Sequence, residues 1–120
     1  MHIAIYGPKH DHQHCLNCFD QVPELSYRRM DFTHWDNYDA MIGQYPQQKM
    51  HMLIVTADGA EGMEAVIAAK AISPETPVMW LTDDAHFGAQ SYRLGCSYFA
   101  IKPITPQIIA SMMRVYQNLQ

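Results

Sequence analysis

The chain has 120 residues, enough for one domain with a single hydrophobic core. Its 48% hydrophobic and 17% charged residues are typical of a globular protein, and a net charge of −4 offers no basic surface for direct nucleic-acid binding. No apolar run approaches the roughly 20 residues of a membrane span, and the N-terminus lacks the features of a signal peptide. The cysteines number three, which argues against a disulfide framework, so we expect a cytoplasmic protein without membrane contact.

In chain order, short apolar runs that are typical of buried strands alternate with segments of helical periodicity. Asp11 is predicted to cap the first helix, and Gly43 and Gly95 are predicted to end the second and fourth helices. Thr105 and Pro106 have the residue types that open a helix. Strands are predicted over residues 3–7, 25–32, 50–56, 78–82 and 97–101, and helices over residues 12–21, 36–43, 62–71, 86–94 and 106–119.

Five strand-helix units in succession predict an α/β fold, because a helix between two strands returns the chain to pair in parallel. Right-handed crossovers favour a doubly wound, flavodoxin-like fold in which a five-stranded parallel sheet of order 2-1-3-4-5 carries helices on both faces. Residues 1–120 then form one domain. In such sheets functional residues follow the carboxyl ends of the strands. Those positions are Gly7-Pro8, Thr56-Ala57-Asp58, Thr82-Asp83-Asp84 and Lys102-Pro103.

The last third of the chain carries the most informative residues. Lys102 ends an apolar strand, where its ammonium has no packing role and calls for a neighbouring anion, with Asp58 and Asp83 as the candidate partners. The segment resembles a CheY-like response-regulator receiver domain, with the flavour of LytTR-type transcription regulators. The resemblance implies a module of two-component signal transduction rather than an enzyme, with no cofactor of its own. The residues that match the family's switch hydroxyl, switch aromatic and lysine-proline pair are Thr82, Phe99, Lys102 and Pro103.

The sequence departs from that family at the positions where receivers bind Mg²⁺ and accept a phosphoryl group. The acidic pair after the first strand is replaced by Gly7 and Pro8. The strand register puts Thr56 in the place of the phosphoacceptor aspartate. These replacements predict a pseudo-receiver without a magnesium site, because Mg²⁺ needs carboxylates and ordered water in octahedral geometry. Asp58, two residues further on, is the alternative acceptor and would make the chain a phosphorylatable receiver.

A cluster of histidine and cysteine lies at the start of the first helix. On a helix, His14 and Cys18 are four residues apart and His12 and Cys15 are three apart, so each pair can share a face. Imidazole and thiolate are ligands for zinc or copper, and a Cys-x-x-Cys near a helix start can carry a thiol of lowered pKa. A metal-binding or thiol redox module is therefore a further alternative, beside solvated histidines with packed cysteines.

The receiver resemblance also implies partners. In that family the face made by the fourth helix, fifth strand and fifth helix forms dimers or contacts an effector. We expect a protein partner or a homodimer through this face, and a DNA-binding effector domain if the chain is the N-terminal part of a longer regulator. Aromatic and methionine side chains favour interface cores. Those available to this face, some of which must pack inward, are Phe87, Tyr92, Phe99, Met112, Met113 and Tyr116.

Overall fold

The fold is a five-stranded parallel sheet, seen in a computed structural model that describes residues 1–25 and 29–119. All neighbouring strands pair in parallel, in the order β2-β1-β3-β4-β5, which confirms the predicted flavodoxin-like topology. The strands are β1 (His2–Tyr6), β2 (Asp31–Trp35), β3 (Met52–Val55), β4 (Val78–Thr82) and β5 (Tyr98–Ile101).

Five α-helices cover the two faces of the sheet, and short 3-10 turns extend some of their ends. In the described ranges, no helix is both long enough and apolar enough to cross a membrane. The helices are α1 (Lys9–Asp20), α2 (Tyr38–Gln44), α3 (Gly59–Ile72), α4 (Gly88–Arg93) and α5 (Pro106–Asn118). The turns are Pro23–Leu25, Tyr45–Gln47 and Ala85–Phe87.

Two apolar cores lie on opposite faces of the sheet, because successive side chains of a strand point to opposite sides. Ile3 and Ile5 pack with residues of α1 and α5, whereas Ala4 and Tyr6 pack with residues of α2 and α3. The central strand β3 is buried along its whole length. A strand covered on both faces reads as a continuous apolar run, which is why its position was evident from sequence.

The start of the first helix differs from the prediction. α1 begins at Lys9, and Pro8 takes the N-cap position with φ −60°. With ψ 151°, Pro8 has the extended backbone of an N-cap residue, which the fixed φ of proline allows. Asp11 therefore lies inside the first turn, and the expectation that it caps the helix is wrong.

The second strand was also predicted wrongly, at residues 25–32. β2 pairs with β1 from His2 and Asp31 to Tyr6 and Trp35, and Trp35 is buried with 3% of its surface exposed. Leu25 lies in a 3-10 turn, and residues 26–28 are outside the described part of the chain. The buried Trp35 fixes the register of β2 against β1. The polar residues before it break the apolar pattern by which a strand is predicted from sequence.

The remaining boundaries agree more closely. The second helix continues past Gly43 into a 3-10 turn, so that glycine does not end it. The predicted fourth helix divides into the turn Ala85–Phe87 and α4, which Gly95 follows with φ +79° as expected for a helix-ending glycine. The Thr105 hydroxyl accepts a first-turn backbone N–H at 3.1 Å, which confirms the predicted cap of α5.

Candidate functional site at the carboxyl edge of the sheet

Backbone hydrogen bonds fix the residues that follow the strands at the carboxyl edge of the sheet. The Thr56 N–H donates to the Tyr6 carbonyl at 2.8 Å, and the Lys102 N–H donates to the Thr82 carbonyl at 2.8 Å. The parallel pairing thus extends one residue beyond β3 and β5. Thr56 and Lys102 are held by the sheet itself rather than by loop conformation.

Lys102 is the centre of the site. Its side chain is only 14% exposed, and three oxygen atoms of the same chain surround its ammonium. The distances from Nζ are 2.8 Å to Asp11 Oδ2, 3.0 Å to Asp58 Oδ1 and 2.7 Å to the Thr56 carbonyl oxygen. An ammonium has three N–H donors, so its donor capacity is filled from within the chain.

The two neighbouring carboxylates also stabilise the charged form of Lys102. Burial alone would lower the pKa of the Lys102 ammonium, since it disfavours the charged form. Hydrogen bonds to Asp11 and Asp58, and the charges of both carboxylates, outweigh this effect and raise the pKa of Lys102. The lysine is therefore fully charged at neutral pH.

Asp58 is the more accessible of the two carboxylates, with 44% of its side chain exposed. It takes the N-cap position of α3 without capping that helix, and instead accepts the Asp83 backbone N–H at 3.2 Å. The predicted pairing of Lys102 with Asp58 is confirmed. Asp83, the other predicted partner, contributes its amide to Asp58.

Asp11 is the partner that sequence reasoning missed. It lies in α1 on the same stripe as His14 and Cys18, at helical spacings of three and seven residues. The His14 Nε2 donates to the Ile104 carbonyl at 2.6 Å, and the Cys18 Sγ lies 3.8 Å from the same oxygen. The stripe faces the loop from β5 to α5, and its spacing would have shown this once the helix start was known.

The Thr56 side chain occupies the space that a side chain at position 7 would need. Thr56 is fully buried, and its hydroxyl donates to the Tyr6 carbonyl at 3.4 Å. A Cβ atom added at Gly7 would collide with the Thr56 Oγ1 and would come within 3.0 Å of the Ala57 nitrogen. A carboxylate side chain at position 7 would therefore have no room while Thr56 keeps its place.

The other residues matched to the receiver switch have packing and backbone partners. Thr82 is fully buried, and its Oγ1 accepts the Asp84 backbone N–H at 3.4 Å. Phe99 packs edge-to-face on Trp80 with ring centroids 5.9 Å apart. The peptide bond before Pro103 is cis.

The histidine and cysteine cluster does not converge on a metal position. His12 stacks on His34 with ring centroids 4.2 Å apart, away from the stripe formed by His14 and Cys18. Across residues 1–25 and 29–119, no three metal-ligating side chains are placed to share an ion. Cys15 is fully buried and lies in the second turn of α1, so burial raises its pKa to about 12. The expectation of a lowered thiol pKa here is wrong, because desolvation exceeds any effect of the helix start.

The face of α4, β5 and α5 exposes fewer apolar residues than the sequence offers. Met112, Met113 and Tyr116 belong to the core, and Phe87 and Phe99 are half-buried beside Trp80. The large hydrophobic residues of α4 and β5 that extend to solvent are Tyr92, which is 87% exposed, and Ile101, which is 40% exposed.

Comparison with known proteins identifies the fold. No protein-family model matches the sequence, and no curated protein matches it either. A putative CpaE2 pilus assembly protein from Sinorhizobium meliloti 1021 matches with a TM-score of 0.76 at 12% identity, over 97% of this chain and 99% of that one. A LuxR family DNA-binding response regulator from Silicibacter pomeroyi matches with a TM-score of 0.73 at 12% identity, over 98% and 93% of the two chains. A CheY-like response regulator receiver domain protein from Methanospirillum hungatei JF-1 matches with a TM-score of 0.69 at 14% identity, over 98% and 94%. The chain therefore has the fold of receiver domains, which are signalling modules rather than enzymes.

Proposed function

We propose that this chain is a pseudo-receiver: a signalling module of receiver fold that acts through protein contacts and does not accept a phosphoryl group. The observation that carries the proposal is the neutralised Lys102, whose ammonium already has Asp11, Asp58 and the Thr56 carbonyl within 3.0 Å. An anion that needs this lysine has to displace an existing carboxylate.

The packing of Gly7 against Thr56 supports the same conclusion. Mg²⁺ is held at phosphoryl-transfer sites by carboxylates that leave room for ordered water. Gly7 and Thr56 supply no carboxylate, and the buried Thr56 excludes a side chain at position 7. Only Asp11 and Asp58 approach the site among the described residues that flank Lys102, and both are engaged with it.

Intact-mass spectrometry after incubation with acetyl phosphate and Mg²⁺ tests the proposal. We expect no added phosphoryl group on the wild-type chain under conditions in which an active receiver, treated in parallel, is modified. A stoichiometric phosphoryl adduct on the wild-type chain would overturn the proposal.

A phosphorylatable receiver that uses Asp58 is the second candidate, because the Asp58 carboxylate is 44% exposed and already meets Lys102 and the Asp83 amide. It predicts an adduct that Asp58→Asn abolishes and Asp11→Asn does not. An adduct that survives Asp58→Asn would count against both candidates.

We propose that the partner docks on the face of α4, β5 and α5, around Tyr92 and Ile101. A DNA-binding effector in a longer regulator is part of this proposal, supported by the likeness to a LuxR family DNA-binding response regulator. Sedimentation of Tyr92→Ser tests self-association, with Tyr38→Ser on α2, where Tyr38 is 38% exposed, as the matched control. A homodimer through this face requires that only Tyr92→Ser weakens it.

A further inference from the structure

A second concave site lies at the opposite, amino edge of the sheet. It is a cleft of about 530 Å³ between the loop that enters β3 and the loop that enters β4. Ligand clefts for small molecules have volumes of roughly 300–1,000 Å³, so this one is of suitable size. Its lining includes an apolar floor formed by Pro46, Met50, Ile72 and Pro77.

The two walls of the cleft carry opposite charges. Lys49 and His51 lie on the wall that enters β3, and Glu75 lies on the wall that enters β4. Across the described ranges, the ion pairs involve neither Lys49 nor Glu75. Lys49 and Glu75 thus line a shared space without pairing with each other. Hydrogen bonds from the backbone of Glu75 and from Ser73, together with the charge of Lys70, lower the pKa of Glu75.

Hydrogen bonds hold these walls in position. The His51 Nδ1 accepts the His2 backbone N–H at 2.9 Å, which leaves the ring proton of the neutral form on Nε2 as a donor. The Ser73 hydroxyl donates to Glu75 Oε1 at 2.9 Å, and the Lys70 ammonium donates to the Pro74 carbonyl at 2.9 Å. His51 and Glu75 are held by these contacts, which lowers the cost of ordering them when a ligand binds.

We propose that this cleft binds a small zwitterion of the α-amino acid class. The ligand carboxylate meets Lys49 and the His51 ring donor, the ligand ammonium meets Glu75, and an aliphatic side chain covers the apolar floor. A molecule with both charges satisfies both walls, whereas a molecule with one charge leaves the opposite wall unpaired. The site is separate from Lys102, and the proposal does not depend on the pseudo-receiver assignment.

Nuclear magnetic resonance of the full ¹⁵N-labelled chain tests this site. The twenty proteinogenic L-amino acids are titrated one at a time, and we expect at least one aliphatic member to give saturable shifts among the amides of residues 45–51 and 72–77. The des-amino and decarboxylated analogues of the best binder are then compared with it. Each should bind about tenfold more weakly, because one charge-assisted contact is lost.

Two charge-removing variants complete the test. Lys49→Gln and Glu75→Gln should each weaken binding about tenfold, since each removes one charged wall. Arg114→Gln, an exposed change on α5, should leave the affinity unchanged. The proposal is overturned if no amino acid gives saturable shifts in the cleft, if the single-charge analogues bind as well, or if both charge variants bind like the wild type.

Discussion

The two edges of this sheet treat charge in opposite ways. At the carboxyl edge, Lys102 is enclosed and its ammonium is neutralised by Asp11 and Asp58 from separate elements. At the amino edge, Lys49 and Glu75 line one cleft and stay unpaired among the described residues. A charge that is already paired inside the chain offers a ligand little gain, whereas the separated, exposed charges have only water as their partner and can be paired by a ligand. The difference favours ligand binding at the amino edge, where the two charges are not paired with each other.

The largest expected difference in the free energy of unfolding comes from replacing one lysine by methionine at each edge. Lys102→Met removes the counter-charge of Asp11, whose side chain is only 10% exposed, and should lower the free energy of unfolding by about 3 kcal/mol. This value is at the lower end for buried pairs, because Asp58 keeps access to water. Lys49→Met should change the free energy of unfolding by less than about 0.5 kcal/mol. Urea denaturation followed by tryptophan fluorescence measures both, and equal losses would remove the contrast between the edges.

A second contrast compares two glycines. Gly7→Ala should cost about 2 kcal/mol, because the new methyl group collides with the Thr56 hydroxyl, as overpacking of a full interior does. Gly43→Ala meets open space inside α2 and should stabilise the chain by about 0.5–1 kcal/mol. Adding Thr56→Ala to Gly7→Ala should recover part of the lost stability, because it removes the hydroxyl that the new methyl group meets. The recovery is incomplete because the Ala57 nitrogen remains close to that methyl group. Thermal unfolding of the three variants decides this, and a harmless Gly7→Ala would contradict the packing argument.

A smaller effect separates the two acids that hold Lys102. Asp11→Asn should cost about 1–2 kcal/mol, because a charge-assisted hydrogen bond in an enclosed site is lost. Asp58→Asn should cost less than about 1 kcal/mol, since an exposed ion pair is screened by solvent. Chemical denaturation at neutral pH gives both values. A larger loss for Asp58→Asn than for Asp11→Asn would contradict the conclusion that the more buried acid contributes more to stability.

The smallest expected effect is a pH dependence. The pKa of Lys102 is raised by Asp11 and Asp58 against the opposing effect of burial, so its contribution to stability is complete below the unfolded pKa of about 10.4. That contribution is lost as the pH rises from this value through the higher folded pKa. The difference in unfolding free energy between the wild type and Lys102→Met should therefore shrink at strongly alkaline pH. Because the charge of Lys102 lowers the pKa of Cys15, both proteins are compared with Cys15→Ala in place, which removes that thiol from the difference.

The sheet was predictable because its central strands are continuous apolar runs, and β4 was located to the residue. The pairing of Lys102 with Asp58 could be predicted because all strands of a parallel sheet end at the same edge, and only β4 lies between β3 and β5. Asp11 could not be placed, since the prediction started α1 at residue 12 and moved that carboxylate out of the helix. β2 was missed because Thr33 and His34 interrupt its apolar pattern, and its register depends on pairing with the distant β1.

The amino-edge cleft had no sequence signal at all. Its walls come from two loops that meet only when β3 and β4 pair, and a lone Lys49 or Glu75 reads as ordinary surface charge. The burial of Cys15, by contrast, agrees with the alternative of packed cysteines that the sequence had offered.

The contact between Gly7 and Thr56 has a consequence for how this molecule can change over generations. Any side chain at position 7 requires that position 56 first becomes smaller, so Gly7 cannot be replaced alone without a collision. The two positions are therefore coupled: a replacement at position 7 has to follow one at position 56, and the reverse order passes through a clash.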